Sequence, residues 1–140
     1  KNLIQKVDFL IIGGAMANTM LHAKGTKIGT SLIETDMLDI AKNIINQADA
    51  SNCKIILPHD IVCAEHLIEN VISNTFNSQE CPEEMMILDI GVKTQRYINE
   101  SQNKKIYRRK LVVMGRTKKY KSDSRELGER MYLHIKFNKK

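Results

Sequence analysis

The chain has 140 residues, 42% of them hydrophobic, with no low-complexity run and a formal net charge of +6. That is enough for one domain with a real core, and no apolar run approaches the ~20 residues that a membrane-spanning helix needs. The charge is uneven: residues 1–103 carry 8 Lys and Arg against 13 Asp and Glu, whereas residues 104–140 carry 14 against 3, so a net −5 part is joined to a net +11 part. Three cysteines, Cys53, Cys63 and Cys81, are an odd number without paired spacing, which points to free thiols in a reducing, cytoplasmic compartment. The opening at Lys1, with no basic-then-apolar signal segment ahead of the first strand, reads as an excerpted or processed piece.

In chain order, Lys1 to Gln5 is too short to place, and Val7 to Ile12 is a β-branched apolar run stopped by Gly13 and Gly14. The residues after the glycines have the spacing of a helix face, Met16, Met20 and Ala23, ending at Lys24 and Gly25. This predicts strand, turn, helix. Glycine lacks a Cβ, so a flat partner can approach the main chain at the turn, and open α/β sheets bind ligands at the carboxyl ends of their strands. The same turn also serves as a plain packing device, so the spacing alone leaves both readings open.

Thr26 to Ile33, TKIGTSLI, reads as a loop. A second helix starts at Glu34 or Thr35, with Asp36 and Asp39 in its first turns and an apolar stripe of Met37, Ile40, Ala41, Ile44, Ile45 and Ala48. Asp49 to Asn52 turn, and Lys54 to Leu57 form a short buried strand closed by Pro58, with extended structure continuing at Ile61 to Cys63. Asn74 to Glu83 is polar, contains Pro82, and reads as a surface loop. Met85 to Ile90 is the third buried strand, ending on Gly91, and a helix follows from Lys93 to Asn103. The alternation predicts an α/β fold: a Rossmann-like three-layer sandwich with a mainly parallel sheet.

Four blocks in this order, KVDFLIIGGAMANTML, IGTSLIETDMLDIAK, ILPHDIVCAE and MMILDIG, resemble the nucleotide-binding domain of the phosphoglycerate kinase family. The resemblance runs from Lys6 to Gly91, about two thirds of the chain. It implies a truncated fragment of a two-domain kinase, with ADP or ATP and Mg as cofactors and the missing substrate domain as partner. It also implies roles for residues: Gly13 and Gly14 as one wall of an adenine slot, Leu32 and Leu88 as apolar contacts, and Gly91 beside the nucleotide. Without the resemblance, Leu32 and Leu88 read as ordinary core. Two positions depart from the family pattern, with Ala15 where it has a third glycine and Val92 where it has proline.

The family's phosphoryl-transfer parts, an upstream lysine motif, a Trp-Asn-Gly-Pro segment with a downstream glutamate, and a Gly-rich phosphate cradle, have no match here, nor does a Mg ligand. No catalytic residue is therefore assigned, and the chain alone is expected to be inactive. The boundary falls at residue 105: residues 1–105 are a partial nucleotide-binding domain and 106–140 a basic tail without family resemblance, divergent or read from a shifted frame. Leu111 to Met114 could add a sheet strand. Basic residues interleaved with Tyr107, Tyr120, Tyr132 and Phe137 leave a second reading, a non-catalytic fragment whose tail binds an anionic partner such as nucleic acid. His59, Cys63 and His66 do not have the spacing of a zinc site, and Asp60 and Asp89 read as caps of neighbouring turns, with a polar role at the crevice as the alternative. A truncated sheet also predicts exposed apolar surface and self-association.

Overall fold

The structure, a computed structural model, describes residues 3–68, 71–103, 111–114 and 134–136, with side chains described as far as residue 100. Tyr107, Tyr120, Tyr132 and Phe137 lie outside the described residues, as does most of the basic tail. After a 3-10 turn at Leu3–Lys6, the chain forms β1 (Phe9–Ile12) and α1 (Gly14–Ala23), then a loop and a 3-10 turn at Thr35–Met37. It continues with α2 (Leu38–Ala50), β2 (Lys54–Ile56), β3 (Asp60–Ala64), β4 (Asn74–Asn77), β5 (Met86–Ile90) and α3 (Val92–Asn103). Among the described residues two more strands follow, β6 (Leu111–Met114) and β7 (His134–Lys136).

The larger sheet has the order β2-β1-β6-β7. β1 pairs in parallel with β2, Leu10 opposite Ile55, and with β6, Leu10 opposite Val112; β7 adds antiparallel to β6. Parallel neighbours need a crossover, and α1 and α2, packed on each other, supply it between β1 and β2. The FLII run of β1 is apolar on both faces because a central parallel strand is covered on both. The core beside it gathers Leu10, Ile12, Ala17, Met20, Ala41 and Ala48. The α/β class and the mainly parallel sheet expected from the alternation are therefore present, and Leu111–Met114 does add a strand.

The apolar stripes of both helices need correction. In α2 the alanines of the stripe, Ala41 and Ala48, are buried, while Met37 and Ile40 stay exposed at the helix entry. In α1 the buried residues are 17–21, including the polar Asn18 and Thr19, and Met16 is exposed. The helix is packed nearly all round, so the three-residue stripe describes only part of it.

The strand at Met86–Ile90 belongs to a second, antiparallel sheet of order β4-β3-β5. Three residues separate β2 from β3, far short of a parallel crossover, so β3 starts a new sheet. β4, inside the stretch read as a loop, escapes sequence patterning because it is an edge strand whose one apolar residue, Phe76, leans on Ile61, Cys63 and Cys81. Between β3 and β5 the register slips: Val62 faces Asp89 but Cys63 faces Ile87, which leaves Leu88 with no residue opposite. The extra residue of this β-bulge is on β5, and the central strand β3 is buried at Asp60, Ile61, Cys63 and Ala64.

Candidate functional site

At the carboxyl end of β1 the chain turns on Gly13, which is extended and half-buried, into Gly14 at φ 64, a left-handed conformation that favours glycine. No side chain caps α1, and Gly14 is exposed, so main chain without side chain reaches the surface here.

The loop after α1 returns along that helix as a strap, tied to it at Asn18 and Thr19. Gly25, at φ 85, closes the helix, its N–H donating to the His22 carbonyl at 2.8 Å while the Thr26 N–H reaches Leu21 at 3.0 Å. Gly29, at φ 56, lies so close to the Met85 and Pro82 carbonyl oxygens that a Cβ would overlap both. The Thr30 N–H donates to the Met85 carbonyl (2.9 Å), and the Ser31 Oγ accepts from the Ile87 N–H (2.8 Å) while donating to the Ile28 carbonyl. On the other side Asn18 Nδ2 donates to the Leu32 carbonyl (3.4 Å), and Thr19 Oγ1 accepts from the Glu34 N–H (3.1 Å). Those bonds are why two polar residues are buried in α1: they tie the strap down.

Leu32 rides on this strap with its side chain 74% exposed, which overturns its reading as ordinary core. The strap joins α1 to β5, and β5 carries Leu88, half-buried at the bulge. The structure thus brings Leu32 and the β5 segment of Leu88 to the same strap beside α1. Of the departures from the family pattern, Ala15 is half-buried and its carbonyl accepts from Thr19 Oγ1, while Val92 is exposed at the start of α3.

Gly91 is held from the side of β3. Its N–H donates to the Asp60 carbonyl at 2.9 Å, and a Cβ would overlap the Asp60 carboxylate. That carboxylate caps α3: Oδ2 accepts from the Lys93 N–H (2.9 Å), and Oδ1 accepts from the Thr94 N–H (2.7 Å) and hydroxyl (2.6 Å). The Thr94 oxygen in turn accepts from the N–H groups of His59 and Asp60 at 2.9 and 3.1 Å. Burial pushes the Asp60 carboxyl up, but the Thr94 and Lys93 hydrogen bonds outweigh it and hold the group below the usual carboxylate range. The His59 ring meets Tyr97 edge-on at 5.0 Å, a second tie between β3 and α3. Asp60 thus caps the first turn of α3, whereas the Asp89 Oδ1 accepts at 2.7 Å from the N–H of the next residue of its own strand, Ile90, a bond that caps no turn.

Sequence patterning missed Asn18, Ser31 and Thr94. Asn18 and Thr94 are polar residues inside helices read for their apolar spacing and Ser31 is one polar residue of a loop, and their partners lie 14, 34 and 56 residues away, respectively. Among the described residues no group of three or more His, Cys, Asp or Glu converges on a common point.

The family model described as phosphoglycerate kinase matches residues 1–117, a span that takes in β6. A phosphoglycerate kinase of Jannaschia sp. (strain CCS1) is 47% identical over 102 residues, covering 73% of this chain and 26% of that protein. One from Bradyrhizobium diazoefficiens is 50% identical over 91 residues, covering 65% of this chain and 23% of that protein. The solved phosphoglycerate kinase from Coxiella burnetii superposes with a TM-score of 0.71 at 35% identity, covering 74% of this chain and 26% of that one. The chain spans about a quarter of the length of the curated relatives it matches. With its parallel sheet, its glycine corner and a family match over most of its length, the chain belongs to the phosphoglycerate kinase family.

Proposed function

We propose that this chain is the nucleotide-side part of a phosphoglycerate kinase. The whole enzyme reversibly transfers the acyl phosphate of 1,3-bisphosphoglycerate to Mg-ADP, giving 3-phosphoglycerate and ATP. In this reading the chain supplies the purine slot and the missing domain supplies the other substrate. One observation carries it: bare main chain reaches the surface at Gly13 and Gly14, and a strap tied to Asn18 of the helix that they open presents Leu32 to solvent instead of burying it.

A purine is flat and apolar on its faces, so it suits uncovered backbone on one side and an aliphatic side chain on the other. Leu32 and Leu88 would give the aliphatic contacts, and Gly91, fixed by Asp60, would keep the far wall free of side chain. Mg would arrive with the nucleotide phosphates, since the described residues offer no set of oxygen ligands of their own. Phosphoryl transfer depends on positioning and on cations at the moving group, and those parts lie in family segments without a counterpart here. The chain should bind nucleotide without turning it over. Three free thiols fit a cytoplasmic setting, and among the described residues no helix is long and apolar enough to cross a membrane.

Isothermal titration of the 140-residue chain with ADP, with and without Mg, tests the reading. Saturable heat that falls at least fivefold in affinity in Leu32→Asp is expected. No binding, or equal binding by Leu32→Asp, would end it. A coupled kinase assay on the chain alone should read zero.

A further inference from the structure

Cys63 in β3 and Cys81 in the turn before β5 bring their Sγ atoms to 3.8 Å, and both side chains are buried. They share a small cluster with Ile61, against which Phe76, Met85 and Ile87 pack. Cys53 is buried in the other cluster, with Leu10 and Ile12. We propose that Cys63 and Cys81 are an oxidative modification site, a dithiol that a peroxide closes into an intramolecular disulfide.

A disulfide needs sulfurs about 2.05 Å apart, so the two atoms must close by less than ~2 Å. Cys81 is placed to react first. It lies between β4 and β5, outside any strand, and is 4% exposed, whereas Cys63 is in the central strand of its sheet and 0% exposed. Burial pushes both thiols up. Cys63 goes to about 12, with Cys81 beside it adding to the shift, while hydrogen bonds with Cys63 and Ser31 pull Cys81 part of the way back.

In the first step the Cys81 thiolate attacks one peroxide oxygen, the O–O bond breaks, and hydroxide leaves and takes up the thiol's proton as water; Cys81 becomes a sulfenic acid. In the second, Cys63 sulfur attacks the Cys81 sulfur, the S–O bond breaks, and the departing hydroxide takes the Cys63 proton as a second water. Two thiols are oxidised by two electrons and one hydrogen peroxide is reduced to two waters. A thiol reductant reverses the bond by exchange. Since the thiolate is the nucleophile and both thiols are raised, closure is slow at neutral pH and quickens as pH rises.

The site would fasten β3 to the turn that receives the strap, because the Met85 carbonyl bonded to Thr30 and the Ile87 N–H bonded to Ser31 lie just beyond Cys81.

The test exposes the folded 140-residue chain to hydrogen peroxide at pH 7 and pH 9, quenches, unfolds, alkylates with iodoacetamide and measures mass. The expected product has lost about 2 Da and takes one alkyl group in place of three, with peptide mapping linking Cys63 to Cys81 and leaving the alkyl on Cys53. Closure should be at least fivefold faster at pH 9 and reversed by dithiothreitol. A mixture of linkages involving Cys53, sulfinic acid on Cys63 or Cys81 without the mass loss, or three alkyl groups after prolonged exposure would each overturn the proposal. Cys53→Ser should keep the cross-link and Cys63→Ser should abolish it; the wild-type mass decides the matter even if a variant does not fold.

Discussion

The two sheets are held together by different means. Around β1 the parallel sheet is fixed by volume, with aliphatic side chains and small alanines filling the space under two helices. Around β3 the antiparallel sheet has, among the described residues, a small buried apolar cluster of Ile61, Cys63 and Cys81, and it relies on Asp60 and Thr94 at one end and Ser31 at the other. Volume tolerates sequence change as long as the space stays filled, whereas a hydrogen-bonded corner fixes where particular atoms stand. Three of the candidate contacts, Leu32, Leu88 and Gly91, hang on the second kind of structure.

The comparison breaks most sharply at Ile12, which is 2% exposed in the first core. Ile12→Ala leaves a cavity and should cost about 3 kcal/mol in urea unfolding, with amide exchange accelerated first in β1 and β2. Next is Asp60→Ala, which strands the Lys93 and Thr94 donors at the start of α3 and should cost about 2 kcal/mol at pH 7. Because the folded state lowers the Asp60 pKa, its contribution is present above the ordinary carboxylate value and fades as pH falls through the lower folded value. The gap between wild type and Asp60→Asn in a pH series of melts should therefore narrow below about pH 4. Gly25→Ala, with open space around the new methyl but a φ of 85, isolates backbone strain and should cost about 1 kcal/mol by the same unfolding assay. The smallest effect belongs to the exposed Lys27–Glu83 bridge at 2.8 Å: Glu83→Gln should leave the melting temperature unchanged within error in 0.5 M salt.

What could be read without coordinates follows the same division. β1, α1, α2, β2 and β5 announce themselves because period and glycine punctuation are local signals, and the apolar run of β1 is long enough to need no context. β4 could not be read, since NTFN offers one apolar residue and takes its strand conformation from β3. The exposure of Leu32 was equally hidden: a leucine in a loop looks like core until Asn18 and Thr19 are seen pulling the strap's backbone, and not its side chains, against α1. The glycine corner was legible as a shape. The partners that position its neighbours were not, because they are single polar atoms far apart in the chain.

The register slip at Leu88 has a consequence for chain length. The extra residue sits on β5 alone, so removing residue 88 would make the ladder regular while keeping Ile87 opposite Cys63, Asp89 opposite Val62 and Ile90 opposite Ile61. The strand can therefore lose one residue at this point and still hold Gly91 against Asp60, so a deletion of Leu88 would remove one candidate contact and leave the corner beside it anchored.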